Sequence, residues 1–204
     1  GVIGAAGSIG FSVFREIVRF EPLEVVLFDL SENNLVEVIR QIRSEDTLLL
    51  PKEMSSLAIG IGSKEFDLYF KSRKKDFDYV LNLAALKHVR SERDVFSIRR
   101  MLKTNVIALE DFLTKFGDQS KKIFSVSTDK AANPINLMGA SKALMENVLL
   151  MRAKDFSVHS ARFANVAFSD GSLPYGFLQR ISKFQLLAGP ADISRYFISH
   201  EEAG

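Results

Sequence analysis

A hydroxyl, a carboxyl and an amine follow one another in the middle of the chain, at Thr128, Asp129 and Lys130. Side chains of these types can hydrogen-bond a substrate oxygen, donate a proton and accept one, which are the tasks of general acid–base catalysis. The apolar run Ile123–Ser127 precedes them, and Lys142 follows on the first turns of the next predicted helix. This places the cluster at the carboxyl end of a strand, where open α/β sheets have their active sites.

A plainer explanation exists for the same residues. Thr128 and Asp129 are types that cap turns, and Lys130 could be a solvated surface lysine. The position at the end of a strand favours chemistry over this alternative, because open α/β sheets bind their ligands there.

A glycine-rich turn near the start of the chain provides a second functional pattern. It follows the apolar pair Val2–Ile3, precedes a helical pattern, and contains Gly4, Gly7, Ser8, Ile9 and Gly10. Glycines at a strand-to-helix turn let the backbone approach a pyrophosphate and leave the amides of the helix N-terminus free to bind it.

Asp29 ends the second predicted strand, Val25–Phe28, about 20 residues after the last of these glycines. An acid at this spacing hydrogen-bonds the adenosine ribose of NAD and repels the 2′-phosphate of NADP. Leu30 beside it offers no compensating cation, so the sequence favours NAD over NADP. The alternative is an ordinary turn followed by a surface aspartate.

Strands and helices alternate through the rest of the chain. The patterns predict a third strand at 57–62, a fourth at 78–85, a long helix at 95–116, a sixth strand at 158–166 and a helix at 173–187. Ala84 and Ala85 leave room for a cofactor against the fourth strand. The predicted fold is α/β, a doubly wound parallel sheet of the Rossmann type.

Composition excludes several other functions. The 204 residues are 47% hydrophobic and 25% charged, with a net charge of +2, which gives no indication of a nucleic-acid partner. The absence of cysteine excludes disulfides and thiolate chemistry, and the three histidines lack metal-ligand spacing, so we expect no metal. No apolar run approaches the length of a membrane span.

Several motifs occur together in an order typical of one family. They are the glycine turn, Asn82–Val89, Thr104–Val106, Ser127–Lys142, Arg162–Val166 and Arg195–Phe197. Through these motifs the chain resembles the bacterial UDP-N-acetylglucosamine 4,6-dehydratases. The resemblance extends over nearly the whole chain. These enzymes form a polysaccharide-biosynthesis family within the extended short-chain dehydrogenase/reductases.

The resemblance implies a dehydration that uses bound NAD catalytically. It implies that Thr128 bonds the C4 oxygen of the hexose, that Asp129 is the acid and that Lys130 is the base. Lys142 would hold the nicotinamide ribose and lie near Lys130. Residues implied to contact the UDP-sugar are Lys87, Asn165 and Arg195, although Lys87 could be a solvated residue and Asn165 a helix cap.

Two positions depart from the family pattern. Met138 stands where the superfamily usually has tyrosine, although some members of the family carry methionine there. Gly60–Gly62 lacks the acid that usually meets the adenine at the end of the third strand.

The resemblance also suggests how the chain is organised. We expect an NAD-binding domain at 1–170 and the start of a truncated sugar-nucleotide-binding portion at 171–204, with both ends clipped and the substrate-binding part largely outside the chain. By analogy with the superfamily, the long helices at 95–116 and 137–153 predict a homo-oligomer. A bacterial, cytoplasmic location is expected.

Three functions remain open from sequence alone. The first is the dehydratase, and the second is a sugar-nucleotide 4-epimerase, which shares the oxidation at C4 but needs no acid–base pair at C5 and C6. The third is a non-catalytic relative that binds NAD or a sugar nucleotide. Asp129 and Lys130 favour the first, and only Met138 favours the third.

Overall fold

Six parallel strands form the main sheet of the computed structural model, which describes residues 1–87, 92, 94–189, 192 and 194–204. The strands are β1 Val2–Ile3, β2 Glu24–Phe28, β3 Glu53–Leu57, β4 Phe77–Asn82, β5 Ser120–Thr128 and β6 Val158–Phe163. Their order in the sheet is β3-β2-β1-β4-β5-β6, and every neighbouring pair is parallel. This is the doubly wound order of dinucleotide-binding folds, so the predicted fold class is confirmed.

Helices cover both faces of the sheet. They are α1 Ser8–Val18, α2 Glu32–Arg43, α3 Lys64–Ser72, α4 Val95–Leu102, α5 Ala108–Phe116, α6 Leu137–Arg152, α7 Leu173–Ser182 and α8 His200–Ala203. A π-helical turn, Lys103–Ile107, joins α4 to α5, and a 3₁₀ turn, Asp129–Ala131, follows β5. Within the described residues, no helix has both the length and the apolar character needed to cross a membrane.

Two apolar layers hold the central strands between the helices. On one face, Phe28 of β2 packs on the rings of Phe66 and Phe70 at centroid separations of 5.3 and 6.0 Å, and both of these rings also pack on Phe112. The other face packs against α1 and α2, where Phe14 is fully buried. Burial on both faces explains why β1 and the Val25–Phe28 part of β2 are continuously apolar rather than alternating.

The predicted third strand at 57–62 was wrong by about one strand length. The observed strand, Glu53–Leu57, pairs in register with Glu24–Phe28 at the edge of the sheet. One side of this edge strand faces solvent, which explains its polar residues. Because of these residues the hydrophobic pattern did not predict a strand there. Residues 58–63 form a loop, and Gly62 has a φ of +78° that most side chains avoid.

Three other predicted boundaries also differ. The sixth strand ends at Phe163, and the next residues form β7, Asn165–Val166, which pairs with β8, Phe197–Ile198, in a separate two-stranded sheet. Helix α7 ends at Ser182, because Phe184 has a φ of +53° that cannot continue a helix. The long helix at 95–116 is interrupted by the π-helical turn. The domain division near residue 170 stays a prediction.

Candidate active site

Two adjoining cavities lie at the carboxyl ends of the central strands. One of about 390 Å³, the Thr128 cavity, is lined by Thr128 and Lys130, while Asp129 between them is not among its lining residues. The other, of about 350 Å³, is the Asp29 cavity. The residues that line both are Gly4, Gly7, Leu83 and Ala85, so the two cavities meet at the glycine turn. A two-part groove centred on such a turn has the layout that a dinucleotide requires.

The three glycines of the turn have different physical reasons for being glycine. Gly4 has a φ of +77°, and a Cβ there would lie 2.6 Å from the main-chain nitrogen of Ala84. A Cβ on Gly10 would lie 2.0 Å from the carbonyl oxygen of Gly4. A Cβ on Gly7 would meet only that same oxygen, at 3.6 Å. Gly4 and Gly10 therefore allow the backbone to pack, whereas Gly7 leaves open space in the groove.

The first amides of α1 are suited to an anion. The amide of Phe11 makes the first helical hydrogen bond, to Gly7, so the amides of Ile9 and Gly10 precede the intrahelical ladder. The amide of Ser8 donates to Oδ2 of Asp170, and the amide of Asp170 donates to Oγ of Ser8, both at 3.2 Å. Together with the open space at Gly7, these amides fit a pyrophosphate.

Asp29 links the glycine turn to the start of α2. Its Oδ2 accepts a hydrogen bond from the amide of Ala6, and its Oδ1 accepts one from the amide of Ser31, both at 3.0 Å. Each carboxylate oxygen keeps a further lone pair that could accept from a ribose hydroxyl. These two bonds fix the orientation of the carboxylate before any ligand arrives.

The walls of the Asp29 cavity combine an apolar surface with two cations, and the sequence did not suggest the cations. Leu30 and the loop 59–62 provide an apolar surface of the kind that an adenine ring contacts. Arg100 and Lys103 reach the same cavity from α4 and the π-helical turn. The sequence could not place these two cations, because they come from a helix far along the chain.

Thr128, Asp129 and Lys130 form a hydrogen-bonded chain. Oγ1 of Thr128 donates to Oδ1 of Asp129 at 2.8 Å, and Nζ of Lys130 donates to the same oxygen at 2.9 Å. Nζ of Lys130 also donates to Oδ1 of Asn165 at 3.2 Å. Thr128 caps the 3₁₀ turn as well, because its Oγ1 accepts from the amide of Lys130. The capping role and the clustering of reactive groups therefore coexist.

The carboxyl of Asp129 is held in its ionised form. Partial burial raises its pKa, but hydrogen bonds from Lys130 and Thr128 outweigh burial, and the net pKa lies below the usual value. The raised pKa that an acid role needs is therefore not present without substrate. A substrate that separates Asp129 from Lys130 would remove the largest of the opposing contributions.

Lys142 is buried in α6, with 5% of its surface exposed. Its Nζ donates to the carbonyl oxygen of Val126 at 2.9 Å. Burial lowers the pKa of Lys142 to about 8, and the Glu146 carboxylate partly opposes this. Met138, one turn earlier on the same helix, is 6% exposed and also lines the Thr128 cavity.

Asn105 connects three elements beneath the site. Its Oδ1 accepts from the amide of Leu86, and its Nδ2 donates to the carbonyl of Leu86 and to Oγ of Ser141. These bonds fix α6 against the loop that follows β4. The π-helical turn around Asn105 directs its side chain to these partners.

The structure brings two of the three predicted substrate residues to the Thr128 cavity. Lys87 lines it, and burial lowers the pKa of this lysine while Asp170 opposes the shift. Asn165 lines it too, and its Nδ2 donates to the carbonyl of Tyr196. Arg195 is exposed, donates to the carbonyl of Ser194, and does not line either cavity. His88 falls outside the described residues.

The sequence also missed a charged pair that contacts Ser127, next to Thr128, without lining this cavity. Glu146 follows Lys142 by one helical turn, and its carboxylate binds Arg162 of β6. The spacing of Lys142 and Glu146 on one helix face was the available signal.

Among the described residues, no group of three or more metal-ligating side chains is present.

Several curated proteins are similar to this chain over most of its length. The chain is 32% identical to an uncharacterized membrane protein of Methanocaldococcus jannaschii, over 99% of this chain and 59% of that protein. It is 29% identical to the capsular polysaccharide biosynthesis protein CapD of Staphylococcus aureus, over 99% of this chain and 34% of that protein. A UDP-glucose 4-epimerase of Rickettsia bellii is 29% identical, over 89% of this chain and 53% of the epimerase. The chain thus spans about a third to three fifths of these relatives.

Solved structures share the fold over almost the whole chain. Pen from Bacillus thuringiensis superposes with a TM-score of 0.81 at 25% identity, covering 98% of this chain and 61% of that one. The enzyme WbmF from Bordetella bronchiseptica, solved in complex with NAD⁺, gives a TM-score of 0.73 at 16% identity, covering 98% and 65%. A family model described as "polysaccharide biosynthesis protein" matches residues 1–204. The chain belongs to this polysaccharide biosynthesis family.

Proposed function

We propose that this chain carries the cofactor-binding and catalytic part of an NAD-dependent 4,6-dehydratase for a UDP-N-acetylhexosamine, UDP-N-acetylglucosamine in the first instance. The product would be the 4-keto-6-deoxy sugar. The observation that supports this best is the hydrogen-bonded chain of Thr128, Asp129 and Lys130. Thr128 and Lys130 line one cavity with Lys142 and the glycine turn, and Asp129 is hydrogen-bonded to both of them.

The groove has the features that NAD needs. Gly7 leaves space for the pyrophosphate, the Asp29 cavity suits the adenosine, and Lys142 lies in the Thr128 cavity where the nicotinamide ribose would be. When bound, NAD would take up a hydride from C4 of the sugar and return it at C6. The location of Asp29 supports NAD over NADP as the cofactor.

Elimination requires a base at C5 and an acid at the departing C6 hydroxyl. We assign the base to Lys130 and the acid to Asp129, with Thr128 hydrogen-bonded to the C4 oxygen. Lys130 takes the C5 proton, Asp129 protonates the C6 hydroxyl, and water leaves as the C5–C6 double bond forms. Protonation at C5 and hydride delivery to C6 then give the methyl group.

The Asp129–Lys130 pair supplies the protonation states for this step without exchange with solvent. Transfer of one proton along the 2.9 Å bond from Lys130 to Asp129 turns an ammonium and a carboxylate into an amine and a carboxylic acid. Those are the base and the acid that elimination uses. A bound sugar that excludes water would favour this neutral pair over the ionised one.

Met138 requires a different route for the proton of the C4 hydroxyl. A thioether cannot donate or accept this proton usefully, so we assign the transfer to a water molecule or to a hydroxyl of the substrate. A Met138→Tyr variant that keeps its activity is compatible with this route. Complete loss of activity in Met138→Ala would argue for a direct role of the methionine.

An epimerase is the second candidate, because the chain is similar to UDP-glucose 4-epimerases. It would use the same C4 oxidation, with Thr128 at the C4 oxygen, but would leave Asp129 and Lys130 without a task at C6 and C5. A non-catalytic NAD- or sugar-nucleotide-binding role is the third candidate. It leaves the burial of Lys142 beside the cavity unexplained.

Proton NMR of the full-length protein with NAD and UDP-N-acetylglucosamine in deuterated water tests the three candidates. We expect a new 6-methyl signal and deuterium at C5. Inversion at C4 with an intact C6 would identify an epimerase. An unchanged sugar, with NAD bound, calls for the same assay with other UDP-hexosamines, and failure with all of them would support the binding-only role.

The oligomeric state and the location of the protein are also part of the proposal. Exposed apolar side chains on α4 and α6, among them Phe96, Leu150 and Met151, support a homo-oligomer built through these helices. Sedimentation of the full-length protein would test this. The family resemblance favours a bacterial cytoplasm as the location.

A further inference from the structure

The carboxylate of Glu146 joins three elements beneath the proposed catalytic residues. Its side chain is 14% exposed. Oε1 accepts hydrogen bonds from Oγ of Ser127 at 2.5 Å and from Nε of Arg162 at 2.9 Å. Oε2 accepts from a terminal nitrogen of Arg162 at 2.6 Å. One carboxylate on α6 thereby binds both β5 and β6.

Ser127, the β5 partner of Glu146, lies between two residues of the proposed site. Ser127 is buried and stands between Val126, whose carbonyl receives Lys142, and Thr128, the first residue of the acid–base chain. Arg162 is the register partner of Ser127 in the sheet. A displacement of Glu146 would therefore move the acceptor of Lys142 and the hydroxyl of Thr128 together.

The negative charge of Glu146 also stabilises the ammonium of Lys142 and so raises the pKa of that lysine. The two residues lie one turn apart on α6, and the pKa of Glu146 is lowered, first by its hydrogen bond with Arg162, so its carboxylate is ionised. Arg162 on β6 offsets part of this negative charge. Asp129 and Lys130, on the turn after β5, pair with each other.

We propose that Glu146 is a positioning residue that holds Lys142 and Thr128 in register at the end of β5 and keeps Lys142 in its ammonium form. The catalytic part of this inference rests on the proposed dehydratase function. Glu146 itself does not line the Thr128 cavity, so it acts through Lys142 and Ser127 rather than on a substrate.

The charge effect can be measured without any substrate. The full-length protein with NAD, labelled at the lysine ε-carbons, is titrated by NMR, and a Lys142→Arg variant assigns the Lys142 signal. We expect Glu146→Gln to lower the midpoint of Lys142 by about one pH unit, because a compensating carboxylate is lost. Arg162→Gln should raise the midpoint, because the carboxylate is then less neutralised.

Ser127→Ala is the matched control, since it removes a hydrogen bond to Glu146 without changing charge. Its Lys142 midpoint should stay near that of the parent protein. The electrostatic role is overturned if Glu146→Gln and Arg162→Gln leave the midpoint unchanged or move it in the same direction. A purely structural clamp would lower the stability of all three variants without separating their midpoints.

Kinetics then connect the charge effect to the reaction. In the dehydratase assay, the alkaline limb of the pH profile of kcat should move to lower pH in Glu146→Gln and to higher pH in Arg162→Gln. Glu146→Asp, which keeps the carboxylate, should show a smaller shift than Glu146→Gln. Limbs that stay fixed while the NMR midpoints move would overturn the catalytic part. If the parent protein turns over no UDP-sugar but the midpoints still move, the proposed function fails while the charge effect stands.

Discussion

Asn105 and Leu86 are joined by a pair of complementary hydrogen bonds. The side-chain Oδ1 of Asn105 accepts from the amide of Leu86 at 2.8 Å, while its Nδ2 donates to the carbonyl of the same residue at 3.0 Å. A further bond of 2.9 Å reaches Oγ of Ser141. The asparagine side chain thus satisfies the backbone amide and carbonyl of Leu86, in the loop after β4, as a neighbouring strand would. Through Ser141 it also fixes this loop to the helix that carries Lys142.

Replacement of Asn105 by alanine should destabilise the protein strongly. The side chain is 1% exposed, and its removal leaves the partly buried amide and carbonyl of Leu86 without their side-chain partner, while Ser141 keeps its bond to the carbonyl of Met138. We expect the free energy of unfolding to fall by about 2–4 kcal/mol. Urea denaturation measures this, with the exposed Asn147→Ala on α6 as the control. A loss below about 1 kcal/mol would contradict the bridging role.

Lys142 should reduce stability at neutral pH. Because its folded-state pKa of about 8 lies below the ordinary value of 10.5, the unfolded chain binds the proton more tightly. Stability therefore rises with pH between about 8 and 10.5, and below this window the folded protein carries a penalty of about 3 kcal/mol.

Lys142→Met should relieve this penalty. Loss of the hydrogen bond to Val126 offsets about 1 kcal/mol, so we expect the variant to be more stable by about 2 kcal/mol at pH 7 and inactive. The advantage should shrink as the pH rises towards 10. Urea denaturation at two pH values measures both effects, with the exposed Lys154→Met as the control. A variant less stable than the parent at pH 7 would contradict the buried charge.

Two glycines of the turn should respond differently to alanine. Gly10→Ala forces a Cβ to 2.0 Å from the oxygen of Gly4, so thermal unfolding should reveal a large loss of stability. Gly7→Ala should leave the stability almost unchanged but weaken NAD binding at least about tenfold, because its methyl group fills the pyrophosphate space. Calorimetric titration with NAD measures the second effect. Equal NAD affinity in Gly7→Ala would show that the dinucleotide binds elsewhere.

Asp29 should control the preference between NAD and NADP. In the parent protein we expect its carboxylate to repel a 2′-phosphate, although Arg100 and Lys103 line the same cavity. We expect Asp29→Ser to weaken NAD binding about tenfold and to bring NADP to comparable affinity. Adding Arg100→Gln should remove the gain for NADP. An unaltered ratio of the two affinities in Asp29→Ser would place the ribose away from this residue.

Asp129→Asn should separate oxidation from elimination. The amide keeps a hydrogen bond with Thr128 but cannot protonate the departing hydroxyl, so we expect 6-methyl formation to fall by about 100-fold. Reduced nicotinamide should accumulate after substrate is added, because C4 oxidation remains possible. Absorbance and proton NMR follow the two events, with the exposed Asp118→Asn as control. Undiminished methyl formation would remove Asp129 from the acid role.

The sequence was sufficient to place residues whose position depends on their neighbours in the chain, while their tasks stay predictions. The glycine turn, Asp29 and the cluster at Thr128 lie at strand ends that periodicity can locate, and the structure places all of them around one groove. The polar edge strand Glu53–Leu57 was misplaced, because half of it faces solvent and it carries no apolar run. Arg100 and Glu146 were missed, since their roles arise from packing between distant elements.

The paired hydrogen bonds between Ser8 and Asp170 have a consequence for folding. They connect residues 162 positions apart, and β1 at the centre of the sheet must also await β4 before it is paired on both sides. The glycine turn therefore cannot make both of these bonds until residue 170 has left the ribosome. Contacts of such long range slow folding, and they leave the glycine turn exposed to chaperones during synthesis.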